Sequence, residues 1–409
     1  MRHENREFDV IVWGASGFTG RLVVEYLLER YPPESGLRWA VAGRSKVKLA
    51  QLFETLDEGA VRPAMMIADS HDPESLERIA ASTSVILTTV GPYAKYGSEL
   101  VAACVKNGTD YCDLCGEVQW MQQMIDEHQA AAEKSGARIV MSCGFDSIPS
   151  DMGLWFLQRQ AKDKHKQTCV EVTLLVRAMK GGASGGTFAS MLNAIEQARQ
   201  DRNIARILVD PYALNPEGMR EGPDSPDQRG SAYNADAATW TAPFVMAGVN
   251  TRVVRRSHAL QNYPYGKDFC YHEATITGPG ASGRFKALLM SAGLTLFMIA
   301  CAFRFTRQNV VGRLLPKPGE GPSKQQRENG YFNLLLLGKL PDGNLLRVRV
   351  KGDRDPGYGS TSKMLAESAV SLAMDQALTG GGFWTPSTAL GSSLLERLIN
   401  NAGLSFEVE

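Results

Sequence analysis

The sequence predicts an α/β fold, with a doubly wound parallel sheet over residues 1–150 followed by a mixed α+β domain over residues 151–409. Three observations carry the prediction. Short apolar runs alternate with stretches of helical period through residues 10–142, the first run leads into a glycine-spaced turn, and the strict alternation stops near residue 150. A length of 409 residues accommodates two or three domains with real cores, and 44% hydrophobic residues exclude a disordered or collagen-like chain.

Residues 10–13 (Val-Ile-Val-Trp) form the first strand, and residues 19–30 a helix with Leu22, Val23, Tyr26 and Leu27 at helical spacing. Residues 39–42 are a strand, 46–56 a helix and 64–68 a strand. The next helix is capped by Asp72, whose side chain can accept from unpaired N–H groups of the first turn, and opened by Pro73, which has no N–H to leave unpaired. Residues 84–90 (Ser-Val-Ile-Leu-Thr-Thr-Val) read as a strand buried on both faces, and 98–107 as a helix closed by Gly108. A strand at 111–114, a helix at 118–135 stopped by Gly136 and a strand at 138–142 bring the count to six strands. Right-handed crossovers then place helices on both faces of a parallel sheet.

Beyond residue 150 the pattern gives a helix at 151–161, a strand at 170–177, a helix at 187–199 and a Pro-, Gly- and Asp-rich loop at 215–236. A strand at 269–277 follows, then a hairpin of 332–340 with 345–351 around Pro341-Asp342-Gly343-Asn344. The helix at 362–378 is expected to pack back on the first domain, the rest forming a substrate and oligomerisation domain, with a homo-oligomer as one expected state.

Charge narrows the partners. With 44 Lys+Arg against 44 Asp+Glu there is no surplus of cations for phosphate backbones, which argues against nucleic acid. The charged start runs into the first strand without an apolar leader, and the seven cysteines sit mostly in apolar stretches, so reduced thiols in the cytoplasm are expected.

In a doubly wound sheet, ligands sit at the carboxyl ends of the strands. There the chain places Gly14-Ala15-Ser16-Gly17-Phe18-Thr19-Gly20 between a strand and a helix. Gly14 permits the tight turn, Gly17 the approach of backbone N–H groups to a pyrophosphate, and Gly20 close packing of helix on strand. The end of the second strand carries Arg44 and Ser45, with Lys48 one turn on, in place of the carboxylate that would hold a ribose 2′-OH. A guanidinium can pair a 2′-phosphate bidentately, so the expected cofactor is NADP(H). Asp69 is placed to touch the adenine edge, and Val90, Gly91 and Pro92 to border the phosphates and nicotinamide ribose.

These motifs, with Thr88-Thr89-Val90-Gly91-Pro92-Tyr93, Tyr111-Cys112-Asp113-Leu114-Cys115-Gly116-Glu117 and Gly144-Phe145-Asp146-Ser147-Ile148-Pro149-Ser150-Asp151, resemble the saccharopine dehydrogenase-like oxidoreductases. Within them the chain is most similar to the trans-acting enoyl reductases of mycobacterial polyketide-lipid synthesis. The similarity continues through Asn250-Thr251-Arg252-Val253-Val254-Arg255-Arg256-Ser257, residues 316–323 and Asp355-Pro356-Gly357-Tyr358. The resemblance implies an NADP-binding Rossmann domain and reduction of an α,β-unsaturated acyl thioester on a carrier protein. Hydride addition at the β-carbon leaves negative charge on the carbonyl oxygen and requires a proton at the α-carbon. Tyr93, beside the expected nicotinamide, is the first candidate donor, with Asp146 or Ser147 completing the site. Reduction of an imine or ketone is the alternative acceptor chemistry, and a lipid-surface scaffold with a nucleotide-sensing domain is the alternative class.

Four further features have two readings each. Residues 287–303 carry no charge, between Arg284 and Lys286 on one side and Arg304 and Arg307 on the other; as a helix they span about 25 Å, short of a roughly 30 Å hydrocarbon core. They are expected either in a core or dimer interface or in contact with a membrane surface or acyl chain. Cys112 and Cys115 have the spacing of a metal pair, but no second pair exists, so no metal is expected. Gly182-Ala183-Ser184-Gly185-Gly186 matches a hydrolase elbow, with His258 and His272 downstream, although the parallel sheet is already committed to a nucleotide. Arg252, Arg255 and Arg256 are either a solvated face or a seat for a phosphopantetheine phosphate or an acidic carrier.

Overall fold

The computed structural model describes residues 6–54, 62–182, 185–307 and 321–409. The chain divides into two compact units, one of Met1–Ile148, Gly319–Gly321 and Gly357–Gly403, the other of Pro149–Pro318, Pro322–Pro356 and Leu404–Glu409. Each is built on a seven-stranded sheet.

The strands of the first unit are β1 (Phe8–Trp13), β2 (Trp39–Gly43), β3 (Ala64–Ile67), β4 (Thr83–Thr88), β5 (Asp110–Cys112), β6 (Arg138–Val140) and β13 (Gly382–Trp384). Their order is β13-β6-β5-β4-β1-β2-β3, and every pairing is parallel. β1 and β4 are adjacent, and all residues of both are buried, as expected of apolar strands covered by helices on both faces. The direction of strand succession reverses between them, so the crevice of a doubly wound sheet opens at their carboxyl ends. The connecting helices are α1 (Phe18–Arg30), α2 (Lys46–Glu54), α3 (Pro73–Ser82), α4 (Tyr93–Tyr96), α5 (Ser98–Asn107) and α6 (Val118–Ser135). Their ends follow the local chemistry. The Asp72 side chain accepts from Ser75 N, and α5 and α6 stop at left-handed Gly108 and Gly136.

The seventh strand escaped the sequence reading because β13 lies outside the strand–helix alternation of residues 10–142 and pairs with β6 from more than 240 positions away. It arrives with the helices Thr361–Met374 and Pro386–Asn400, which belong to this unit. Helix Thr361–Met374 lies against α1, β1, β4 and β5 and is buried almost throughout. At its centre the fully buried carboxylate of Glu367 accepts from Tyr26 Oη at 2.6 Å, Tyr31 Oη at 2.8 Å and Asn401 Nδ2 at 3.2 Å.

The second sheet runs β14-β12-β11-β7-β10-β9-β8. Its members are β7 (Glu171–Lys180), β8 (Ala232–Asn234), β9 (Thr239–Pro243), β10 (Cys270–Gly278), β11 (Tyr331–Lys339), β12 (Leu345–Gly352) and β14 (Leu404–Val408). Only β7 and β10 pair in parallel among these strands; the other neighbours are antiparallel. The predicted hairpin is β11–β12, and the segment read as a loop over 215–236 contains the short strand β8. Helices α7 (Ile148–His165), α8 (Gly185–Gln200), α9 (Arg202–Val209), α10 (Ala247–Leu260) and α11 (Gly280–Ala302) complete the unit. Gly153 of α7 is where helix meets sheet, since a Cβ there would lie 3.2 Å from Leu336 Cδ1. The reading of 287–303 as a core helix does not hold: of α11 only Gly283, Ala287, Ser291 and Cys301 are buried.

Replacing Glu367 by Ala should lower the stability of the first unit by about 1–3 kcal/mol, because it leaves the buried Tyr26 hydroxyl without its acceptor and takes a partner from half-buried Tyr31 and Asn401. The measurement is the urea midpoint of unfolding, and an unshifted midpoint would remove Glu367 from the list of stabilising contacts.

Candidate functional site

The carboxyl ends of the first sheet gather most of the predicted residues. β1 leads into Gly14, whose φ of +86° suits glycine alone without strain, and whose N–H donates to Ala42 O at 3.0 Å, tying the turn to β2. A Cβ on Gly14 would stand 2.5 Å from Val90 Cγ2, and one on Gly20 would stand 2.1 Å from Gly14 O. Both positions need the missing side chain: the first lets the loop after β4 close on the turn, the second lets α1 seat against it. Ala15 is buried beneath the loop, Ser16 and Gly17 are exposed, and Phe18 and Thr19 are half-buried. The Gly17 N–H donates to Gly14 O at 2.9 Å, so this group closes the turn itself. Helix α1 starts with no side-chain cap and no acidic residue in its first turn, which leaves the positive end of its dipole facing the crevice.

At the end of β2, Arg44, Lys46 and Lys48 are exposed and no carboxylate follows the strand. Ser45 is occupied locally, its Oγ accepting from Lys48 N at 3.3 Å. Asp69, after β3, is half-buried and its Oδ1 accepts from His71 N at 2.9 Å. These groups fit NADP(H): a cradle that two Cβ atoms would fill, an uncapped helix start, and cations where the 2′-phosphate of a bound cofactor would lie.

After β4, Val90 N donates to Thr88 Oγ1 at 3.2 Å, Gly91 is exposed and Pro92 precedes α4. Tyr93, expected to offer its hydroxyl to a substrate, instead faces the interior. Its side chain is buried against Trp120, with the hydroxyl donating to Thr88 O at 3.3 Å and accepting from Leu114 N at 3.4 Å. Burial, with the charge of Asp113 nearby, holds this phenol well above its ordinary pKa.

Two buried carboxylates build this part of the site, and the sequence reading gave neither a role. Glu117 accepts from Tyr93 N at 2.7 Å and Ala94 N at 3.1 Å, satisfying the first N–H groups of α4. Asp113 accepts from Cys115 N at 3.0 Å, Ser142 N at 2.9 Å and Tyr111 Oη at 2.8 Å, locking the end of β5 to that of β6. The signal was present in the run Tyr111–Glu117, where two acids stand among apolar residues with no basic partner in sequence. Cys112 and Cys115 flank Asp113 as free, buried thiols, both pushed up by burial.

After β6, Phe145 N donates to Thr361 Oγ1 at 3.0 Å and Ser147 N to Ser142 O at 3.1 Å, which fixes the loop that carries Asp146 and Ser147. Asp146 is half-buried; Ser147 is buried, and its Oγ has no hydrogen-bond partner among the described residues.

The arginine cluster takes neither of its expected forms. Arg252, Arg255 and Arg256 lie on α10 and are buried at 2–3% exposure. Arg252 pairs with Asp227, Arg255 with Asp224 at 3.0 Å, and Arg256 donates to Leu214 O, so the three cations organise the irregular segment before β8 rather than meeting solvent or a phosphate. In the hydrolase-like motif Ala183 and Ser184 lie outside the described residues; His258 Nε2 is bonded to Gly266 O at 2.9 Å.

Comparison with known proteins agrees with this geometry. The family of saccharopine dehydrogenase NADP binding domains matches residues 10–140. The structure of apo saccharopine dehydrogenase (L-Glu forming) from Saccharomyces cerevisiae, 12% identical, superimposes with a TM-score of 0.52 over 98% of this chain and 99% of its own, a likeness of fold. The fold and the nucleotide site define an NADP-dependent oxidoreductase, with NADP(H) as its cofactor. Trans-acting enoyl reductases of Mycobacterium leprae and Mycobacterium ulcerans are 36% and 37% identical over 413 aligned positions, 97% of each chain. A Mycobacterium tuberculosis relative named for the same activity is 40% identical over 418 positions, 98% of this chain and 97% of its own. The chain belongs to the trans-acting enoyl reductase family.

Burial outweighs the three hydrogen bonds at Asp113 and pushes its carboxyl up to about 6, against 3.8 unperturbed. The fold therefore binds its proton more tightly than the unfolded chain does, so the associated stability is full below about 4 and is lost as pH rises through about 6. An Asp113→Asn variant does not titrate. Its stability relative to the parent in urea should rise between pH 4 and pH 7, and a difference independent of pH would show that another group titrates there.

Proposed function

We propose that this oxidoreductase reduces the α,β double bond of an acyl thioester held on a carrier protein. The observation that supports the reading is the 36–40% identity, across 97–98% of the chain, to proteins named trans-acting enoyl reductases. When bound, NADPH supplies the hydride for the β-carbon; the carbon–carbon π bond breaks, and a proton from the site completes the α-carbon.

The chain's own residues have three tasks. The first is to hold the nucleotide: the loop from Gly14 to Gly20 and the start of α1 take the pyrophosphate, Arg44, Ser45 and Lys48 take the 2′-phosphate, Asp69 borders the adenine, and Val90, Gly91 and Pro92 border the nicotinamide ribose. The second is to keep that frame rigid. Tyr93 serves here as a positioning residue, since its hydroxyl already spends its proton on Thr88 O, and Glu117 and Asp113 hold the loops on either side. The third is to stabilise negative charge on the thioester oxygen and deliver the proton. Ser147 and Asp146 are assigned this task, because Ser147 keeps an unspent hydroxyl at the carboxyl end of the sheet and Asp146 is its partly accessible neighbour.

Purified protein should oxidise NADPH in the presence of a 2-enoyl thioester of a phosphopantetheine arm and not with the saturated thioester. Oxidation driven instead by a ketone or an imine would overturn the assigned acceptor. Arg44→Ala should weaken NADPH binding about tenfold or more, roughly 1.4 kcal/mol, and leave NADH binding unchanged; equal losses for both nucleotides would refute the 2′-phosphate assignment. Ser147→Ala should lower kcat about 10²-fold with NADPH affinity intact, and an unaltered kcat would strike Ser147 from the chemistry.

A further inference from the structure

Helix α11 has no part in the reduction as proposed, and its surface is at odds with its composition. Over Gly280–Ala302 the only charged residues are Arg284 and Lys286, and the helix is long and apolar enough to cross a membrane. A helix apolar on all sides is ordinarily covered on all sides, by protein or by lipid. Here a narrow stripe does the packing: Gly283, Ala287 and Ser291 recur at every fourth residue and lie over β9 and β10, so closely that a Cβ on Gly283 would be 1.8 Å from Gly278 O.

The rest of the circumference is exposed. Phe285, Leu288, Leu289, Met290, Leu296, Met298 and Ile299 are 40–68% exposed, and Phe303 and Phe305 continue the surface at 61% and 75%. At about 100° per residue the seven helical side chains extend from one flank of the packed stripe round to the other. Nearly half of the large hydrophobic side chains exposed among the described residues fall in this one segment. Helix α8 adjoins it through Phe188, whose ring meets Phe297 at 6.3 Å, and α9, packed on α8, carries half-buried Ile204, Ile207 and Leu208. The charge around this surface is basic. Arg284 and Lys286 on α11, and Arg202 and Arg206 on α9, are exposed, while Glu196 of α8 is paired with Arg307 at 2.5 Å and Asp201 caps α9.

We infer that α11, with the adjoining face of α8 and α9, is a docking surface for an anionic lipid bilayer, lying in the plane of the interface. The packed stripe holds the N-terminal half of the helix to the second sheet, so it meets lipid sideways along its length. A second copy of the chain would cover one seam and leave most of the apolar arc in water. Acyl chains cover an arc of any width, and the basic rim matches anionic headgroups.

The test is flotation of the full chain with vesicles of phosphatidylcholine alone or mixed with phosphatidylglycerol, at about 0.1 M salt where surface charge still acts. Binding to the mixed vesicles is expected, with at least a tenfold loss for Leu289→Glu/Leu296→Glu and a partial loss for Arg284→Glu/Lys286→Glu. Both variants should keep the parent's far-UV circular dichroism and cooperative unfolding, which shows that the second unit is folded, and unchanged NADPH binding keeps the result separate from the substrate assignment. Absence of flotation with the mixed vesicles, or equal flotation of the parent and the Leu289→Glu/Leu296→Glu variant, overturns the inference. So does a dimer in detergent-free size exclusion that the leucine variant converts to monomer while flotation is unaffected.

Discussion

The cofactor site of the first unit depends on the contact between α1 and the turn at Gly14. A single methyl group at position 20 would overlap the Gly14 carbonyl, so the helix can start where it does, aimed along the crevice, only because nothing projects from that position. Gly14 in turn makes room for Val90 and so sets how near the loop after β4 can come. The positive end of α1, the loop after β4 and the end of β2 are brought together by two absent side chains. Apolar strands make the sheet, but these close approaches shape the turn at which we propose the nucleotide binds.

Around that contact the unit solves a problem common to parallel sheets. Strand ends are rich in backbone N–H and C=O groups, and burying them beneath loops is costly unless each finds a partner. Asp113 and Glu117 meet the need with charged acceptors inside the protein, each receiving two backbone N–H groups. Tyr93 supplies the complementary donor to Thr88 O. The upward shift at Asp113 is the residual cost of that arrangement. In the second unit the same economy appears with the signs reversed: Arg252, Arg255 and Arg256, buried on α10, donate to carbonyls and aspartates of a segment that has little regular structure of its own.

The local elements were the most legible part of the chain. The cap at Asp72, the stops at Gly108 and Gly136 and the bounds of α6 depend on interactions within a few residues, and a reader of the sequence can enumerate those. The strand–turn–helix at Gly14–Gly20 was legible for the same reason, since strand, glycines and helix are contiguous. What failed was inference about where a side chain points. Tyr93 and the three arginines were read by chemical type and neighbourhood in sequence, yet their environments are made by Leu114, Leu214, Asp224 and Asp227, which the chain brings in from 21 to 42 positions away.

By itself the sequence determined a doubly wound sheet, a glycine cradle between its first strand and helix, cations in place of a carboxylate after the second strand, and an uncharged run long enough to matter. Those features arise from period, spacing and composition, which are properties of the linear chain. Tertiary structure alone decided that β13 extends the first sheet, that Asp113 and Glu117 are structural acceptors, and that α11 presents its apolar surface outward. The physical reason is that burial and hydrogen-bond partnership are pairwise properties of groups distant in sequence, and they come into being only when the chain has closed on itself.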